Sequence, residues 1–189
     1  MNEATTNAVS DIERAIAEAR LRNDPSERIV RLITTSPNSP AFKRVWRSLK
    51  DDDWSDVALR VVFTRLKKAE AVQVIEDIAS KYGLSTAEAN VRYSRLKNSS
   101  KIRELIQVGE TGLWVDSGGD EKELSTRRVS AHLADEKTAE ANEHFELIWD
   151  FSDPLPRSVV RKGGKRLEKS RKLSSVNLDG NKPTGRAYA

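Results

Sequence analysis

The chain has no cysteine, one methionine and only two histidines, His132 and His144, in 189 residues. Without thiols there can be no disulfide, thiolate metal site or cysteine nucleophile, which suits a reducing compartment. The histidines stand twelve residues apart, outside any tight ligand spacing such as H-E-x-x-H. No apolar run approaches the ~20 residues needed to cross a bilayer, and the first residues lack the apolar centre of a secretory leader. A cytoplasmic protein without membrane attachment is therefore expected. Asp51-Asp52-Asp53 cannot converge on one cation without a supporting framework. Gly163-Gly164-Lys165 lacks the preceding glycine spacing of a phosphate loop and reads as a flexible basic linker. No nucleophile–base pair is evident, so neither an enzyme nor a bound cofactor or metal is expected.

What the chain has in quantity is charge, 33% of its residues. Residues 1–50 carry net +3, 51–117 net −1, 118–153 net −6 and 154–189 net +8. The overall +4 thus hides an acidic segment followed by a basic one, which places polyanion attraction at the end of the sequence.

These segments also divide the pattern of elements. In 1–50, three short amphipathic helices are expected. The first runs from about Asp11 to Arg22 on Ile12, Ile16 and Ala19. The second starts at Asp24-Pro25 and carries Ile29, Val30, Leu32 and Ile33. The third starts at Ser39-Pro40 and carries Phe42, Val45, Trp46 and Leu49. In 51–117, helical spacing of Val57, Val61 and Leu66, then of Ala69 to Lys81, precedes a further helix over about 86–98. Ile102 to Val108 and Leu113 to Val115 flank a glycine-bounded turn and read as a β-hairpin, the alternative being that Lys101 to Gln107 extends the preceding helix. A long amphipathic helix is expected over 121–150, available either to pair with its twin in a homodimer or to fold back onto the N-terminal helices. Pro154 and Pro156 end it, and 157–189 read as a mostly disordered basic tail. The expected fold class is mainly α, with a small hairpin.

The most specific pattern lies between Ile75 and Lys97. Ala79 is small where two helices must touch, Gly83 permits a sharp turn, and Ala89, Tyr93 and Leu96 form an inward stripe on the next helix. This is the spacing of a helix-turn-helix, whose second helix lies in the major groove. Its outer face would present Asn90, Arg92, Ser94, Arg95 and Lys97. Arginine reads guanine and asparagine reads adenine in bidentate fashion, each worth ~1–3 kcal/mol of discrimination. Ser85 and Thr86 at the helix start suit a phosphate. Lys101 and Arg103 are placed to reach the flanking backbone, and Arg161, Lys162, Lys165 and Arg166 in the tail to add sequence-independent phosphate contacts.

Ile78-Ala79, Gly83-Leu84-Ser85 and Val91-Arg92-Tyr93-Ser94-Arg95-Leu96-Lys97 together resemble the promoter-reading C-terminal region of bacterial sigma factors. The hairpin after Lys101 resembles that of winged-helix regulators. The resemblance covers about thirty residues and implies double-stranded DNA as partner, with helix 85–98 in the major groove. The expected function is therefore sequence-specific DNA binding in transcription regulation. Two alternatives stay open: a protein-interaction or assembly module of the phage structural or adaptor kind, and an RNA binder acting through the tail.

Overall fold

Residues Ile29–Thr34 and Ala58–Phe63 carry the β-branched Ile29, Val30, Ile33, Thr34, Val61 and Val62, and both are strands, not the helices that their apolar spacing suggested. Branching at Cβ restricts χ1 and suits a pleated surface buried on both sides. The computed structural model describes residues 13–51, 57–94, 102, 104–109, 111–116, 125–129 and 135–179. Its helices are α1 (13–20), α2 (Pro40–Asp51), α3 (Lys68–Tyr82), α4 (Leu84–Asn90), α5 (Asp135–Asp150) and α6 (Arg157–Asp179). Its strands are β1 (Ile29–Thr34), β2 (Ala58–Phe63), β3 (Val91–Ser94), β4 (Glu104–Val108), β5 (Thr111–Asp116), β6 (Ser125–Val129) and β7 (Ser152–Pro154).

The strands form one mixed sheet in the order β6-β5-β4-β1-β2-β3-β7. At its centre β1, β2 and β3 run parallel, joined by crossovers through α2 and through α3–α4, while β4 and β7 flank them antiparallel. The fold is therefore α/β, not mainly α with a small hairpin. The expected hairpin exists as β4–β5, but β4 continues the main sheet by pairing with β1, so it is not a wing. Strand pairing also crosses the boundaries expected at 50/51 and 117/118, because β1 pairs β2 and β4, and β5 pairs β6.

Alternation along the parallel strands divides the sheet into two faces. Val30, Leu32, Leu59, Val61, Phe63 and Val91 point to one side, where they pack with α1, α2, α3, α4 and α6. Ile33, Val62 and Leu105 point to the other, where Ala141, Phe145, Ile148 and Trp149 of α5 cover them. The start of α2 is tied to the carboxyl end of β1 by a buried polar cluster. Ser39 Oγ accepts the Phe42 N–H at 3.2 Å and is hydrogen-bonded to Thr34 Oγ1. Glu104 Oε1 accepts the Thr34 hydroxyl at 2.9 Å and the Thr35 N–H at 2.6 Å.

Three further expectations are corrected. The helix foreseen over 86–98 ends at Asn90, and Val91–Ser94 is β3, parallel to β2. Ala87 and Val91 are buried there and Tyr93 packs against the core, whereas Ala89, expected on the inward stripe, is exposed; Leu96 lies outside the described residues. The long helix foreseen over 121–150 begins at Asp135, after strand β6, and its apolar side lies on the sheet of its own chain. Residues 157–179 are not a disordered tail but helix α6, because Val159, Val160 and Leu167 supply a stripe that joins the main core.

Candidate nucleic-acid interface

Pro156 precedes α6 and its carbonyl accepts the N–H groups of Val159 and Val160 at 2.8 and 3.2 Å, which closes the first turn. The helix then crosses α3 closely because it carries glycine at the crossing. A Cβ on Gly163 would stand 2.5 Å from Ile75 Cγ2, and one on Gly164 would stand 3.0 Å from Leu84 Cδ2. The Gly163-Gly164 pair, read from sequence as a linker, is therefore the contact that lets α6 dock. Ser170 Oγ adds a link to Glu76 Oε1 of α3 at 3.3 Å.

Docking by that stripe turns all the cations of the helix outward except Arg171, which lies on the stripe side. Eight Lys and Arg residues lie between Arg157 and Lys172, and all eight are exposed. At 100° per residue, Arg157, Arg161, Lys165, Lys169 and Lys172 form a ridge opposite the buried stripe. Lys162 and Arg166 stand on one flank, and Glu168 is the one acidic residue in that span. With ~1.5 Å rise per residue the ridge is about 22 Å long. All four residues expected as phosphate contacts (Arg161, Lys162, Lys165 and Arg166) lie on this exposed side.

The residues assigned to base readout are dispersed. The corner at Gly83 is present, with φ +85 and its N–H donated to Ala79 O at 3.0 Å, a conformation that favours glycine. Beyond it, Ser85 is exposed and Thr86 and Asn90 half-buried on the seven-residue α4. Ser94 is buried in β3. Arg92 does not project from a helix. Its Nη1 donates to Trp149 O at 2.8 Å and its guanidinium lies 4.2 Å from the Trp149 ring centroid, so it fastens β3 to the end of α5. Arg95, Lys97, Lys101 and Arg103 lie outside the described residues.

Sequence reading missed a second set of arginines. Arg31 and Arg60 are paired neighbours on β1 and β2, on the α5 side. Arg60 makes a forked contact with Glu146, 3.0 and 3.5 Å, and stacks 4.1 Å from the Trp149 centroid. Arg31 Nε reaches the same carboxylate only at 3.6 Å, and burial lowers its pKa from the ordinary arginine value against the raising influence of Glu146. The signal for this pair was the alternation V-R-L and L-R-V within two otherwise apolar runs.

Among the described residues, no helix is long and apolar enough to cross a membrane. Comparison with protein-family models, with curated proteins and with solved structures found no match.

Proposed function

We propose that the chain binds double-stranded DNA through its phosphate backbone, with the outer face of α6 as the contact surface. The observation that carries this reading is the ridge of five exposed cations, flanked by Lys162 and Arg166, on a helix docked by its own apolar stripe. Such a ridge releases condensed counterions from the duplex, which supplies sequence-independent affinity. Helix α6 carries no aromatic side chain on which unpaired bases would stack, a point that favours a duplex over a single strand. The B-DNA major groove admits a helix, whereas the deep, narrow groove of A-form RNA does not. The exposed face offers lysine and arginine without asparagine or glutamine before Lys172, so the contact is one of position more than of base identity. The proposed setting is the cytoplasm, and the proposed consequence is occlusion or organisation of DNA sites, with transcription control as one result.

The test is a salt series of duplex binding with intact protein and with R161A/K162A/K165A/R166A. Each lost phosphate contact removes about 0.9 from the slope of log affinity against log salt, so the quadruple variant is expected to lose up to about 3.6. Unchanged affinity and slope on a random-sequence duplex would remove α6 from this role.

A further inference from the structure

The α2 and α3 helices, side by side on the larger face of the sheet, leave between them an open groove of 490 Å³ that the DNA reading does not use. That volume lies within the range of small-molecule sites. Its lining includes the Pro37–Asn38 turn after β1. In α/β sheets, ligands are held outside the carboxyl ends of the parallel strands, which is where this turn lies.

The two walls differ in chemistry. The α2 wall presents Lys43, Trp46 and Arg47, at i, i+3 and i+4, over Phe42. The rings of Phe42 and Trp46 are nearly parallel, 10° apart with centroids 6.3 Å apart, so Trp46 stands on a buried aromatic support. The α3 wall presents Glu70, Gln73 and Asp77. Glu70 accepts the Asn38 amide at 3.2 Å and the Lys67 N–H at 3.1 Å, and Asp77 accepts the Gln73 amide at 3.0 Å. A carboxylate has about four acceptor sites, so both keep acceptor capacity for a ligand.

A ligand that satisfies both walls is flat, anionic at one end and rich in N–H donors at the other. We infer that this groove is a nucleotide seat: a base lies against Trp46, its amino edge donates to Asp77 or Glu70, and its phosphate meets Lys43 and Arg47. Aromatic stacking tolerates every base, whereas a carboxylate acceptor favours those with exocyclic amino groups. Guanine, adenine and cytosine bases therefore bind better than uracil. The nucleotide is either free or the unpaired end of a strand, because the recognised chemistry is the same.

The experiment is a titration of the full chain with GMP, UMP and a short single-stranded oligo-dG, followed by tryptophan fluorescence and by heat. GMP is expected to bind saturably and UMP several-fold more weakly. The W46F variant is expected to lose the quench and to bind roughly tenfold more weakly by heat. D77N is expected to fold, since its amide still accepts from Gln73, and to narrow the GMP-to-UMP ratio towards one. Tighter binding of oligo-dG than of GMP that is lost in W46F and kept in R161A/K162A/K165A/R166A identifies a strand end as the source, and equal or weaker binding identifies the free nucleotide. Absence of saturable heat with both GMP and oligo-dG overturns the seat, and so does a GMP affinity equal in wild type and W46F. Because no duplex is present, failure here is distinct from failure of the α6 reading.

Discussion

The two faces of the sheet are built on different principles. On the larger face, 26 buried apolar residues of the described chain form one cluster contributed by five helices and the strands beneath them. On the other, a single helix covers a cluster of seven, and next to it lie Arg31, Arg60 and Arg92, held by Glu146, Trp149 and the last carbonyls of α5. The first face gains stability from area removed from water, roughly 25 cal/mol per Å² of apolar surface. The second spends part of its area on guanidinium groups whose desolvation offsets much of their attraction. Stability is thus expected to reside in the helical layer of α2, α3 and α6, which also carries the basic ridge and the groove. The α5 face orders the strands more than it stabilises them.

Substitutions on each face test that contrast. Phe63→Ala, which removes a fully buried ring 5.2 Å from Phe42, is expected to cost about 3–5 kcal/mol in urea unfolding. A loss below about 1 kcal/mol would mean that the larger face is not the main core. Gly163→Val forces a branched side chain onto Ile75 and Val72 O, and overpacking of this kind costs about 1–3 kcal/mol. It is also expected to weaken duplex binding, because α6 loses its seat, whereas a surface change such as Lys169→Ala leaves unfolding untouched.

Smaller effects follow on the arginine face. Arg92→Met keeps an apolar stem beside Trp149 but leaves the Trp149 carbonyl without its donor, for about 1–2 kcal/mol by thermal unfolding. Loss of duplex affinity with stability intact would instead return Arg92 to the DNA interface. Arg31→Met removes a half-buried guanidinium whose ion pair is long, and Glu146 still has Arg60 as partner. Its expected effect is near zero or slightly stabilising, within about 1 kcal/mol. A large loss would show that Arg31 contributes more than its 3.6 Å contact suggests.

Much of the punctuation was legible in the residues. Ser39-Pro40 opens α2, Gly83 makes the corner between α3 and α4, and Pro154 and Pro156 follow the end of α5, each because a cap, a positive φ or a missing N–H acts within one turn of chain. The hairpin at Gly109 was legible for the same reason, since this glycine has φ +53. The type of element between those marks was less so. In β1 and β2, both faces are buried over most of the strand, which removes the polar alternation that marks a strand and leaves apolar spacing that a helix fits equally well. Within the candidate site, the tail cations were legible as charge. The helix that aligns them was hidden by Gly163-Gly164, a pair unfavourable to an isolated helix.

By itself the sequence determined a few breaks between elements, at Ser39-Pro40, Gly83 and Gly109, how charge is partitioned along the chain, and that the α6 segment carries a strong positive excess. Those properties depend on neighbours a few residues away. Only the tertiary structure decided that 29–34, 58–63 and 91–94 join one sheet, that Arg92 turns inward to α5, and that Gly163 lets a basic segment become a docked helix. Each of those outcomes depends on a partner surface distant in sequence, and burial against that surface outweighs local preference.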